Sequence, residues 1–344
     1  MKKLKIAVLM GGKSSEHEVS IISGTEVVKN LDERKYEVLP VVVSKNGTTW
    51  KLTNKNSLLS LENILKLKGT SNEIALMESK TISGVGAISS KPIDLIFIAM
   101  HGQFGEDGTV QGMLELAGIP YTGSKVLASA IGMDKEVFRK LMQSQKLPIP
   151  KYITLHRGGK YPNFRKVLGK MPYFVKPVNG GSSVGASIAE SISELKKAIN
   201  LAFKYDDRIL IDEYLKGMEV TCGVIGNENP IPLPIVEIKP LKGKFFDYES
   251  KYTESGSLEI VPARISKSLT KSIQNLSLKV FKIIGCRGFA RVDFILKNNK
   301  SPIILEINTI PGLTPMSLLP KAAQAAGISY SKLLYTIINL AVVK

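Results

Sequence analysis

The sequence predicts an α/β domain followed by an α+β region, on three observations. Residues 4–10 and 36–43 are apolar runs of strand length, separated by a helix-like stretch from Glu18 to Leu31, and Ile93–Met100 is a further strand. Such strand–helix–strand alternation implies a parallel sheet covered by helices. Beyond Pro148-Ile149-Pro150 the pattern changes to short strands with few helices, which is the α+β signature. The chain has 344 residues, 44% of them hydrophobic. That is ample for buried cores and too long for one ordinary domain, so two or three domains are expected.

The remaining elements follow in chain order. Residues 44–90 are rich in Ser, Asn, Lys and Gly and read as loops with one helix. A helix over Asp134–Gln145 stops at the Pro-Ile-Pro segment, because proline cannot continue it. Strands are expected at Lys151–Leu155, Tyr173–Lys176, Ile209–Asp212, Val220–Ile225 and Ile235–Lys239, with one helix, Ser193–Phe203, among them. Residues 247–262 lack periodicity and read as a mobile loop. A helix over Ser268–Ile284 precedes paired strands Gly288–Leu296 and Pro302–Ile307, and helices over Met316–Ala326 and Ser329–Val342 close the chain.

Composition excludes several classes. No run of about 18 apolar residues is present, so no membrane span is expected. The apolar stretch after Met1 is short and leads into Gly11-Gly12-Lys13 rather than a small-residue cleavage site, so it reads as a first buried strand and not as a signal peptide. Cys222 and Cys286 are far apart and fit ordinary core residues of a reduced, cytoplasmic protein. The net charge is +17, but the basic residues are scattered. They read as a Lys-rich surface on an enzyme with anionic substrates rather than as a nucleic-acid footprint.

Four segments carry chemistry. Ala7–Ser14 is close to a phosphate-loop signature, yet its loop positions are a hydrophobic strand, so that reading fails. Gly11-Gly12 instead makes a strand-to-helix turn, and Glu16 just past it either caps the helix or meets a ligand at the strand's carboxyl end. His101-Gly102-Gln103-Phe104-Gly105-Glu106-Asp107-Gly108 follows a strand and reads as a polar network at the mouth of the sheet. Lys176 ends a strand and leads into Asn179-Gly180-Gly181-Ser182-Ser183-Val184-Gly185. Glycine lets backbone N–H groups approach phosphate, and the hydroxyls add donors. Finally, period-two spacing puts Arg291 with Asp293, and Glu306 with Asn308, on shared strand faces. Asp293, Glu306 and Asn308 are then oxygen ligands suited to Mg²⁺ against phosphates, with ion pairing to Arg291 as the competing role.

In this order, the Lys with its Gly/Ser loop, the R-x-D strand and the E-x-N strand resemble the ATP-grasp carboxylate–amine ligases. Within them, G-G-x-S-x-E-x-E-V-S at 11–20, H-G-x-x-G-E-D-G at 101–108, G-S-S-V-G at 181–185, D-Y-E-x-K-Y at 247–252 and E-x-N-T-x-P-G-x-T at 306–314 resemble the D-alanine–D-alanine ligase family over about residues 4–340. Asp212 departs from the Glu often found there. The resemblance implies an ATP-grasp fold behind an N-terminal parallel-sheet domain, divided at 1–125, 126–215 and 216–344, with the ATP-grasp region at 136–342. It implies ATP-driven joining of two D-alanines for cell-wall precursors through an acyl-phosphate, with two Mg²⁺ or Mn²⁺ ions, in a cytoplasmic homodimer. D-lactate and D-serine remain alternative acceptors.

The resemblance also implies roles. Lys135 and Lys176 contact phosphate; Gly181, Ser182, Ser183 and Val184 lie over the γ-phosphate. Asp212, Glu213, Tyr214 and Leu215 form the hinge reading adenine. Glu219 takes the ribose, and Phe174 and Phe245 flank the base. Asp293, Glu306 and Asn308 hold the metals. Glu16, with the His101 region, holds the first D-alanine. Ser317 and the Leu318 N–H hold the second carboxylate, and Arg291 and the Gly312 N–H hold the oxyanion. Lys251 and Tyr252 belong to the loop, where Tyr252 bonds Ser182 and favours an amine acceptor.

Overall fold

The computed structural model describes residues 3–59, 93–181, 183–241 and 257–342. Ser182, Phe245, Lys251 and Tyr252, and with them most of the 247–262 segment, lie outside the described residues.

The first part contains β1 (Leu4–Gly11), α1 (His17–Asn30), β2 (Tyr36–Val43), β3 (Trp50–Leu52), α2 (Lys55–Leu59) and β4 (Leu95–Ile98). The four strands form one sheet in the order β3-β2-β1-β4. β1 runs parallel to β2 and β4, as the alternation requires, while β3 is an antiparallel edge. β1 is buried on both faces from Lys5 to Gly11, which is why it reads as a continuous apolar run rather than an alternating one.

Next come α3 (Thr109–Leu116), α4 (Val126–Met133) and α5 (Lys135–Ser144), then β5 (Tyr152–His156), α6 (Phe164–Leu168), β6 (Tyr173–Pro177), β7 (Ser187–Ala189), α7 (Ile192–Ala202) and β8 (Arg208–Glu213). α5 is capped by Asp134, whose side chain accepts from the Val137 N–H. The strands form a second, antiparallel sheet, β5-β8-β6-β7, backed by α7. The helices α3, α4 and α6 are absent from the periodicity reading; α4, with the sequence Val-Leu-Ala-Ser-Ala-Ile-Gly-Met, is apolar nearly all round and shows no helical stripe.

The third sheet holds β9 (Gly217–Gly226), β10 (Ile231–Pro232), β11 (Val236–Pro240), β12 (Ser257–Ile260), α8 (Lys267–Ile284) packed against it, β13 (Gly288–Lys297) and β14 (Ser301–Asn308). The strand order is β12-β11-β9-β13-β14, with β10 on β9. β12 corrects the expectation of a loop through residue 262: Ser257–Ile260 pairs antiparallel with β11, so edge pairing prevails where local pattern is weak. α9 (Leu318–Ala325) and α10 (Tyr330–Val342) close the chain. Their apolar faces, including Leu319, Ala323, Leu333, Leu334, Ile337 and Ile338, join the core beneath the first sheet. Among the described residues no single helix is long and apolar enough to cross a membrane. Both cysteines are buried, and burial pushes each thiol up to about 12, so they are unreactive core residues.

α1 approaches β1 closely because residue 24 has no side chain: a Cβ there would lie 2.6 Å from Met10 Cβ and 2.8 Å from Met10 Cε. This approach sets the β1–α1 turn and therefore the position of Glu16. In an exposed helix, Gly→Ala adds about 1 kcal/mol of stability. Here overpacking against a fully buried methionine costs about 1–3 kcal/mol and dominates. Gly24→Ala should therefore unfold at lower urea concentration than the native chain; a higher midpoint would show that α1 does not seat this way.

Candidate active site

Two cavities meet in the cleft between the sheets. The first is bounded by β6, the Gly/Ser loop, the end of β8 and the open face of β9, β11 and β13. Lys135, Phe174, Lys176, Gly181, Ser183, Val184, Asp212, Glu213, Tyr214, Leu215 and Glu219 all line it. The second is lined by Glu16, His101, Asn308, Gly312, Ser317 and Leu318. Lys135, Gly180, Gly181, Arg291 and Glu306 line both. Every described residue to which the resemblance gives a nucleotide, metal or substrate role thus lines one cavity or the other.

The floor of the first cavity follows from register. Glu219 on β9 pairs with Ile238 on β11 and with Ile295 on β13, so the three side chains lie abreast. Ile238, Ile295, Leu305 and Pro150 add apolar wall that motif reading missed. Leu305 and Glu306 both face the cleft although they are adjacent, because β14 carries one extra residue: Asp293 pairs with Glu306 and Phe294 with Ile304, leaving Leu305 as a bulge. Strict alternation predicts opposite faces for the two.

Across the β13–β14 pair, Arg291 stands opposite Asn308 and Asp293 opposite Glu306. Arg291 grips Asp293 with two parallel bonds, Nε to Oδ1 and Nη2 to Oδ2, each 2.8 Å. The Thr221 hydroxyl, not anticipated, donates to Asp293 Oδ1 at 2.5 Å. Asn308 Oδ1 accepts the Ile310 N–H at 2.9 Å. Lys135 Nζ donates to the Gly180 carbonyl at 2.6 Å and lies 3.9 Å from Glu306 Oε2. Among the described residues no group of three or more His, Cys, Asp or Glu is placed to hold a metal. Two carboxylates and an amide are nonetheless a hard-oxygen donor set that fits Mg²⁺ and unsuits softer metals, provided Asp293 exchanges part of its bond to Arg291.

Lys176 is anchored from below. Its Nζ lies 3.1 Å from Asp212 Oδ2 and 5.6 Å from the Phe174 ring centre. Asp212 is buried and also accepts from Arg139 at 3.2 Å. The base of the Gly/Ser loop is tied down by Asp206, which accepts from both the Asn179 N–H and its side-chain amide. Lys13 stands elsewhere: it is exposed, lines neither cavity, and lies 5.8 Å from the Phe104 ring.

In the second cavity Glu16 makes no capping bond to α1, which removes the capping alternative. Its carboxylate lies between two glycines: a Cβ at Gly102 would come within 2.7 Å of Oε2, and one at Gly181 within 2.5 Å. The Gly/Ser loop therefore closes directly on Glu16. Beside it, His101 Nδ1 meets the Ile310 carbonyl at 3.1 Å and Nε2 meets Ser23 Oγ at 2.9 Å. Burial alone would lower the imidazole's affinity for a proton, but the carboxylates of Glu106 and Glu16 hold its pKa above the ordinary histidine value. Burial and the Glu16 charge push the Glu106 carboxyl upward in turn. Asp107 braces the loop instead, accepting the N–H groups of Phe104 and Thr109.

At the far wall, the Ser317 hydroxyl is 2.8 Å from that of Thr314, and Gly312 packs against it. Ser317 precedes α9, whose first N–H groups lack intrahelical partners and suit an anion. Glu259 of β12, also missed from sequence, lines this cavity and pairs with Lys321 at 2.7 Å.

Two family models match the chain. The model described as D-ala D-ala ligase N-terminus matches residues 5–124, and the D-ala D-ala ligase C-terminus model matches residues 141–339. The chain is 38% identical to a D-alanine–D-alanine ligase of Halothermothrix orenii, over 99% of each chain. It is similar to the structure of the VanG D-Ala:D-Ser ligase of Enterococcus faecalis, with TM-score 0.86 and 34% identity over 99% of this chain and 100% of that one. It is also similar to a D-alanine–D-alanine ligase of Bacillus anthracis complexed with ATP, with TM-score 0.75 and 36% identity over 99% of this chain and 97% of that one. With both models matched along nearly the whole chain and identity well above 30%, the chain belongs to the D-alanine–D-alanine ligase family.

Proposed function

We propose that this chain joins two D-alanines at the expense of ATP, through D-alanyl-phosphate, in a cleft whose first cavity takes the nucleotide and whose second takes the amino acids. The observation that carries this division is the shared boundary of Lys135, Gly180, Gly181, Arg291 and Glu306, where the γ-phosphate and the attacking carboxylate would meet. The apolar wall of Ile238, Ile295, Leu305 and Phe174 suits a base, and Glu213–Leu215 at the end of β8 its edge. The division of the chain at 1–125, 126–215 and 216–344 is part of the same reading, as are a homodimer and a cytoplasmic location.

The first carboxylate attacks the γ-phosphorus, and ADP leaves. Two anions must approach, so cations are required at the boundary. Lys135 and Lys176 supply two, and backbone N–H groups of 181–185 supply further donors. Mg²⁺ held by Asp293, Glu306 and Asn308 would neutralise phosphate oxygens when bound. Glu16 would hold the first substrate's ammonium. The second amine then attacks the acyl carbon, and phosphate leaves. Arg291 and the Gly312 N–H would hold the developing oxyanion, and Ser317 with the Leu318 N–H at the start of α9 the second carboxylate, a reading supported by their shared place in the second cavity. By the same reading Ser182 and Tyr252 would close the site, with Lys251 on the substrate and Phe245 on the nucleotide. The likeness to a D-Ala:D-Ser ligase makes D-serine the competing acceptor, and product mass after offering D-alanine, D-serine and D-lactate separately tests it.

Four substitutions test the assignment. Glu306→Gln should abolish ligation in the presence of Mg²⁺ while leaving the circular dichroism spectrum unchanged; near-normal turnover would remove the metal role. Lys176→Ala forfeits a charge-assisted contact of about 2 kcal/mol, so the KM for ATP should rise about thirtyfold, whereas Lys13→Ala should leave it unchanged. The reverse ranking would overturn the nucleotide site. Glu16→Gln should raise the KM for D-alanine at its tighter site more than that for ATP, and the opposite order would take Glu16 out of substrate binding.

A further inference from the structure

We propose that Arg139 is a positioning residue for the nucleotide site: by taking up charge on Asp212, it frees Lys176 to face phosphate. This rests on the reading of Lys176 as a phosphate contact.

Three charged side chains from three elements meet under the Gly/Ser loop. Arg139 of α5 is fully buried, Asp212 of β8 is 3% exposed and Lys176 of β6 is 9% exposed. Both cations converge on the same oxygen, Asp212 Oδ2: Arg139 Nη2 at 3.2 Å and Lys176 Nζ at 3.1 Å. Arg139 is held from the other side by the Ile304 carbonyl of β14, 3.4 Å from Nη1. Asp212 Oδ1 and Arg139 Nε have no hydrogen-bond partner among the described residues.

One carboxylate between two buried cations leaves an excess positive charge, and burial makes that costly unless an anion completes it. Of the two cations Arg139 is enclosed and lines neither cavity, whereas Lys176 lines the first cavity. The anion must therefore come to Lys176, and its chemical class is phosphate. Without Arg139 the balance reverses. Asp212 and Lys176 become a neutral buried pair, each the other's sole charged partner within the triad. Lys176 is then drawn to the carboxylate and presents less field to the cavity. Arginine suits the anchoring role because its guanidinium stays charged in an apolar site and can bond Asp212 and the β14 carbonyl together.

The test measures binding of ATP and of adenosine, which carries no phosphate, by titration calorimetry. Arg139→Met and Arg139→Gln both remove the charge; Met keeps much of the bulk, and Gln retains a donor. Each should weaken ATP at least tenfold and leave adenosine within threefold, while Arg139→Lys should stay near native for both. In a Lys176→Ala background, Arg139→Gln should have no further effect on ATP. Equal losses for ATP and adenosine, additivity with Lys176→Ala, or unchanged ATP binding in Arg139→Gln would each overturn the proposal, the first two by showing a merely structural role. If Lys176→Ala alone leaves ATP binding unchanged, the nucleotide reading of that lysine falls instead, and the two failures are thereby told apart.

Discussion

The site depends on one strand pairing, β13 with β14, and on its single bulge. Antiparallel register brings Asp293 directly opposite Glu306 and Arg291 opposite Asn308. Like charges facing each other across a ladder are destabilising. The protein offsets this locally, with Arg291 and Thr221 on Asp293 and Lys135 near Glu306. The pair is therefore an anionic centre held by cations that chemistry can recruit. The bulge adds Leu305 to the same surface, so apolar wall and carboxylate come from consecutive residues.

Closure against this centre is made by backbone. Gly102 and Gly181 flank the Glu16 carboxylate so closely that a Cβ at either position, 2.7 or 2.5 Å from Oε2, would force the carboxylate to shift. Gly102 also has φ of 74°, a left-handed conformation that a side chain would oppose. The Gly/Ser loop is held at its root by Asp206 and farther out by Lys135 on the Gly180 carbonyl. It thus joins two cavities that belong to different sheets, and motion of the loop would change both together. That coupling suits a reaction whose intermediate must be kept from water.

Much of the molecule is legible without coordinates. The parallel pairing of β1, β2 and β4 follows from alternating apolar runs and one helical stretch, since buried strands must be apolar on both faces. That Glu16, Lys176, Arg291, Asp293, Glu306 and Asn308 line a cleft is legible because polar residues are costly on buried strand ends unless they are used. The helix α4 is not legible, because an apolar surface all round carries no periodicity. Nor is β12, a short edge strand whose hydrogen bonds depend on a partner about twenty residues away.

Arg139, Thr221 and Glu259 leave no local mark at all. Each acts through a group distant in sequence: Arg139 through Asp212 across 73 residues, Thr221 through Asp293 across 72, Glu259 through Lys321 across 62. Local sequence determines which segments become strands and helices and which residue types can hold phosphate, ammonium and metal, because propensity and spacing act between near neighbours. Only tertiary structure decides that both cavities share Lys135, Gly181, Arg291 and Glu306, and that a fully buried arginine shares a carboxylate with a lysine lining the first cavity. Register, bulges and desolvated charge clusters are set by contacts between distant segments, and those contacts exist only once the sheets have packed.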